Sequence, residues 1–182
     1  MPDSRSLKLD LSALALLALT VFLGLALASY NPADPPSAST FPAHTEPQNL
    51  CGRSGAYTAH YLFQLLGLGA YYLALSMAVL DGVLLVRREV TDLPLRGVGW
   101  LASLFGLTTL ASLVAPRWSW GPAIGPGGYL GATGHGLLDT HFASTGSFIL
   151  AVSLVLGGWL VSTDYVIFRL AMKAVCLPLA GV

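Results

Sequence analysis

Four long runs of apolar residues alternate with short polar or basic segments along the chain. No Lys, Arg, Asp or Glu occurs between Asp10 and Asp34, between Arg53 and Asp81, between Arg96 and Arg117, or between Asp139 and Asp164. Each stretch holds at least about 18 mostly apolar residues, enough for a helix to cross roughly 30 Å of hydrocarbon. The pattern predicts an all-α integral membrane protein with four transmembrane helices, at Leu11–Ala28, 55–85, 97–115 and 143–162. These spans make one domain over 11–163, between an N-terminal segment (1–10) and a juxtamembrane tail or linker start (164–182).

The first span is rich in Leu and Ala, both strong helix formers. It ends where Pro32, Pro35 and Pro36 forbid helical continuation. Tyr30 stands at that end as an interfacial aromatic. The 31–53 loop is polar and proline-rich, too short to bury a core of its own. The second span is long for one crossing, so tilt or a projecting first turn is expected. Gly67, Gly69 and Ala70 in its middle allow close helix approach. Trp100 marks the near interface of span three, and Trp118 and Trp120 its far interface. Segment 121–146 is glycine-rich, and 128–142 reads as a short helix lying at the interface or re-entering the membrane. In the tail, Arg169 and Lys173 sit one turn apart among apolar residues, the pattern of an interfacial helix or an extension of span four.

Composition agrees with this picture. Of 182 residues, 54% are hydrophobic and 10% charged, against about 25% charged in soluble domains. Nine basic and nine acidic side chains leave no net charge to attract nucleic acid. With a cytoplasmic N-terminus, Arg5, Lys8, Arg87, Arg88, Arg96, Arg169 and Lys173 fall on the cytoplasmic side and only Arg53 and Arg117 opposite. This asymmetry places both termini in the cytoplasm. Ala26-Leu27-Ala28 resembles a signal-peptide cleavage pattern, but the apolar run before it is longer than a typical h-region. Cys51 and Cys176 fall on opposite sides of the membrane and are not expected to pair.

Candidate chemistry is sparse. The chain has no G-x-x-x-x-G-K-[ST] phosphate loop, no G-x-S-x-G elbow and no paired CxxC motifs. No catalytic, cofactor-binding or metal site is expected. The nearest approach to one is His135, Asp139 and His141. His135 and Asp139 share a helix face at i,i+4, while His141 points elsewhere. A membrane enzyme would have to use these three. A small multi-pass transporter or channel subunit would have to use Asp81, Thr108, Thr109 and His60, which are scattered in depth. His60 reads as an interfacial polar residue, and Asp81 as one that snorkels towards a basic interface. Gly128 and Gly131, at i,i+3, permit either a tight turn or the close approach of another backbone.

One set of motifs resembles a known family. Ser29-Tyr30-Asn31-Pro32-Ala33-Asp34-Pro35 is similar to the S-Y-x-P-x-D-P signature of the four-helix membrane domain of FtsK/SpoIIIE DNA translocases. The run from Asn49 through Gly52, Gly55 and Ala56, then Leu62-Phe63 and Leu66-Gly67 to Ala70-Tyr71, resembles that family's second span. Gly127-Gly128-Tyr129-Leu130-Gly131 resembles its G-G-x-x-G before the last span. The matches keep the family's order and cover most of 10–163. The chain departs in having His60 where the family often has an acid, and Pro36-Ser37 where a tryptophan commonly follows the D-P pair.

The resemblance implies a septal membrane anchor and assembly module, acting in cell division and chromosome segregation. It implies a bacterial inner-membrane location, contacts with other division membrane proteins, and several copies around one site, the family's motor being a hexamer. DNA and ATP would be met only through a C-terminal motor outside this chain. The signature residues Ser29, Tyr30, Pro32, Asp34, Pro35, Asn49, Gly52, Gly55, Ala56, Gly67, Gly127, Gly128 and Gly131 are then expected at the helix exit and at close packing sites.

Overall fold

The computed structural model describes residues 4–37, 40–42, 44–85, 93–115 and 122–162. The described residues are all-helical: α1 (Ser4–Ala28), α2 (Gly52–Leu66), α3 (Gly69–Leu85), α4 (Leu93–Val114), α5 (Gly128–Asp139) and α6 (Ser144–Ser162). Three segments are long and apolar enough to cross a membrane alone: Leu11–Ala28, Pro94–Val114 and Ser144–Ser162. Trp118, Trp120, Arg87, Arg88, Cys176 and the 164–182 tail lie outside the described residues.

The second span is not one tilted helix. It breaks into α2 and α3, which meet at 111°. The break falls at Gly67, whose φ of +55° closes α2 through a 2.8 Å bond from its N–H to the Phe63 carbonyl. Only glycine enters this left-handed region at low cost. As a result α2 lies across the end of α1. Cys51 Sγ reaches the Phe22 carbonyl at 3.6 Å, the Phe63 ring packs 4.9 Å from Tyr30, and the Tyr71 hydroxyl donates to the Leu27 carbonyl at 3.5 Å. Residues 51 to 71 thus stay near the last turns of α1, although a 15-residue helix is about 22 Å long. The arm that returns along α1 is α3, with 17 residues, or about 25 Å.

Helices α4 and α6 pack antiparallel along a seam of small residues. A Cβ on Gly99 would lie 2.8 Å from the Gly158 carbonyl and the Ser162 nitrogen, and one on Gly106 would lie 2.9 Å from Val155 Cγ2. Small residues are what permit such backbone approach, the usual basis of helix pairing in lipid. The core cluster sits where the two helix groups meet, with Ala26, Leu27, Ala59, Phe63, Leu66 and Ala70 enclosing Leu104.

The two halves repeat one plan. In each, a long helix (α1 or α4) leads to a shorter one (α2 or α5), a third helix (α3 or α6) follows, and the two shorter helices meet where Leu68 bonds Pro126. An offset of 76 positions superposes Gly52, Gly55 and Ala56 on Gly128, Gly131 and Ala132, and Val79, Leu80, Gly82 and Leu84 on Val155, Leu156, Gly158 and Leu160. The backbone repeats with them. Gly52 and Gly128 open their helices at φ +65° and +63°. Gly52 donates to the Asn49 carbonyl at 2.8 Å and Gly128 to Gly125 at 3.0 Å, while Gly55 and Gly131 donate to Cys51 and Gly127 at 3.3 and 3.0 Å.

Candidate functional site

The S-Y-N-P-A-D-P segment folds as two successive turns at the end of α1. Asp34 N–H bonds the Asn31 carbonyl (3.1 Å) and Ser37 N–H bonds the Asp34 carbonyl (3.0 Å). Pro32 and Pro35 therefore occupy the second position of each turn, where their fixed φ is already suitable. The Asn31 side chain accepts from the Ala33 N–H at 3.0 Å and braces the first turn.

A polar clamp closes over these turns. The last carbonyls of any helix lack partners within it, and here Asn49 supplies them. Its Nδ2 donates to the Ala26 carbonyl at 2.8 Å and to Ser29 at 3.3 Å. Ser29 Oγ donates to Leu25 (2.6 Å) and accepts from Leu50 N–H (3.0 Å), tying the start of α2 to the end of α1. Asp34, only 3% exposed, takes three donors: His44 Nδ1 at 2.8 Å, Gln48 N–H at 3.0 Å and Asn49 N–H at 3.1 Å. That compensation is what a buried carboxylate requires. Gly55 lies against this group, where a Cβ would strike the Asn49 and Cys51 side chains. Ala56 is buried beside it. Burial, with the Tyr71 phenol adding, pushes the Tyr30 hydroxyl above its ordinary value.

The remaining signature glycines form a second joint. Leu68 N–H donates to the Pro126 carbonyl at 2.7 Å, so the α2–α3 bend rests on the turn that opens α5. A Cβ on Gly67 would collide with that carbonyl, and one on Gly128 would lie 2.6 Å from the Gln64 carbonyl and the Gly67 nitrogen. Gly127 and Gly131 face Thr108 and Ser112 of α4, and Gly134 faces Thr109. Gly128 turns the chain and also admits a neighbouring backbone. Gly52 turns the chain too, but a Cβ there would meet nothing within 4 Å.

The other candidates are not brought together. His135 Nε2 and Asp139 Oδ2 pair at 3.4 Å, while His141 Nδ1 turns to Thr140 Oγ1 (2.7 Å) and the Leu137 carbonyl. No group of three metal-ligating side chains occurs among the described residues. Thr108 and Thr109 donate to the Phe105 carbonyl at 2.9 and 2.7 Å and are buried against α5 rather than lining a conduit. His60 is buried on the inner face of α2. Asp81 is buried near the opposite end of α3, and no described residue bonds its Oδ1.

A third feature was not visible in the sequence. Tyr72 and Ser103 share a 2.7 Å hydrogen bond, and Trp100 Nε1 donates to Ser76 Oγ at 2.8 Å, linking α3 to α4. Trp100, read from the sequence as an interface marker, thus also joins the two halves. A tryptophan and a serine in facing spans give no sequence-local sign of their pairing.

The family model for the 4TM region of DNA translocase FtsK/SpoIIIE matches residues 5–175. The chain belongs to this family. Among its 4TM relatives, the DNA translocase FtsK of Pseudomonas syringae pv. syringae is 32% identical over 160 residues, covering 84% of this chain and 20% of the relative. That of Agrobacterium fabrum is 36% identical over 123 residues, covering 66% of this chain and 13% of the relative. The chain thus spans a fifth or less of the 4TM relatives it matches. No solved structure matches it. As a 4TM domain, the chain is a multi-pass inner-membrane protein corresponding to the membrane region of these translocases.

Proposed function

We propose that this chain is the membrane anchor and assembly module of a septal DNA translocase in cell division and chromosome segregation. The observation that carries the reading is what the signature residues build. Asp34, Ser29 and Asn49 close a loop clamp, and Gly67, Gly127, Gly128 and Gly131 form a backbone joint. Both are devices for holding spans in fixed relation, as an anchor requires. In this reading the clamp lies on the periplasmic side and both termini are cytoplasmic, in line with the distribution of basic residues. DNA and ATP are handled by a C-terminal motor beyond these residues. The module assembles as several copies, six if it follows the motor, and docks on other division membrane proteins. A transporter or channel reading has less support, because Thr108, Thr109, His60 and Asp81 do not converge.

The test is a C-terminal fluorescent fusion imaged in dividing cells. Fluorescence concentrated at midcell is the expected result. A uniform membrane signal would refute the septal role, and no fluorescence from a reporter that fails outside the cytoplasm would refute the topology.

A further inference from the structure

The internal repeat has one joint in use and its counterpart open. In the first half, α2 finishes in the 64–68 turn. In the second half, α5 starts from the 126–128 turn. These two turns meet within the chain, through the Leu68 to Pro126 hydrogen bond and the Gly128 to Gln64 approach. The 76-position offset defines the counterpart of each. Residues 50–52 of the first half correspond to 126–128, and residues 140–144 of the second half correspond to 64–68.

Both counterparts are uncovered. Leu50 is 73% exposed, whereas its equivalent Pro126 is fully buried. Phe142 is 48% exposed, whereas its equivalent Leu66 is 6% exposed. Gly52 shares the left-handed backbone of Gly128, yet where Gly128 is pressed by Gln64 a Cβ on Gly52 would meet nothing. Residues 140–145 and 52–54 are all exposed. The two surfaces also carry opposite charge. Arg53 is exposed beside Gly52, and Asp139, which pairs with His135, is exposed where α5 ends.

We propose that a second copy of this chain covers these surfaces, the 140–144 turn of one copy docking on the 50–54 turn of the next. The contact repeats between chains the relation that 64–68 and 126–128 have within one. It brings Phe142 to Leu50 and Asp139 to Arg53. Ala143 stands at the position of Gly67, so its methyl holds the backbones farther apart than in the internal joint, and side chains carry more of the contact. The two surfaces differ, so the contact is head-to-tail and generates a ring or an open chain of copies, not an isolated two-fold dimer. This inference rests on the oligomeric part of the proposed function.

The experiment is disulfide crosslinking of the full chain in native membranes. Leu50→Cys and Phe142→Cys are introduced singly and together, with Cys51→Ser and Cys176→Ser to remove the native thiols. All four sites are tested for retained fold by thermal unfolding. On oxidation, the double variant is expected to give a ladder of dimer and higher species that neither single variant gives. In that background Arg53→Glu or Asp139→Arg alone should lower the crosslinked fraction severalfold, and the two together should restore it. Oligomers seen by native mass spectrometry without the ladder would overturn this surface and leave the anchor reading standing. A dimer formed equally by one single variant would overturn the head-to-tail geometry. A strictly monomeric protein would overturn both the surface and the oligomeric reading.

Discussion

Asn49 caps a helix that ended more than twenty residues before it. Its Nδ2 sits 2.8 Å from the carbonyl of Ala26, within the last turn of α1, while its backbone N–H binds Asp34 and its Oδ1 receives Cys51 N–H. One side chain thus joins the end of one span, the loop after it and the helix that follows.

Asn49→Ala should therefore destabilise the module well beyond a surface substitution. It leaves the buried Ala26 carbonyl without its donor, a loss of about 1–3 kcal/mol. Thermal unfolding in detergent should show a clear drop in midpoint. An unchanged midpoint would mean that the carbonyl finds another partner at no cost.

Asp34→Ala removes the shared acceptor of His44, Gln48 and Asn49. The 44–49 stretch should then loosen while the spans stay folded. Limited proteolysis of membranes opened on the loop side should cut there faster in the variant. Equal cutting rates would show that the prolines alone hold the loop.

Two glycines of α5 should respond in opposite directions. Gly128→Ala places a methyl 2.6 Å from the Gln64 carbonyl in a left-handed backbone, so the α2–α5 joint must open. Gly136 has open space around it, and Gly136→Ala should stabilise by about 0.5–1 kcal/mol through helix propensity. Unfolding midpoints of the two variants decide the matter, and a fall of equal size in both would contradict the joint.

The adjacent glycines of α6 make a similar pair. A Cβ on Gly158 would lie 2.5 Å from the Gly99 carbonyl, whereas one on Gly157 would meet nothing within 4 Å. Gly158→Val should separate α6 from α4, and Gly157→Val should be tolerated. The expected readout is loss of a crosslink between cysteines placed across the α4–α6 seam in the first variant only.

Much of this architecture was legible in the sequence. The apolar runs gave α1, α4 and α6, because uncharged stretches of that length have few alternatives. A short helix in the glycine-rich stretch before α6 was expected and is present as α5. The break at Gly67 was not legible, since α3 is mostly apolar and offers no periodicity to separate a bent pair from one long helix. The clamp was hidden for a different reason. Asp34 and Asn49 are fifteen positions apart, and nothing local in either motif announces the other. The repeat was present in the letters but thin, because Gly52-x-x-Gly55-Ala56 and Gly128-x-x-Gly131-Ala132 gain weight only once their backbones are compared.

The α4–α6 seam also fixes how the domain bears mechanical load. Its close contacts run from Gly99 and Gly158 to Gly106 and Ala151, about two helical turns along the axis. A pull along α6 therefore acts in shear on several interlocked backbone contacts together. It cannot peel them apart one by one.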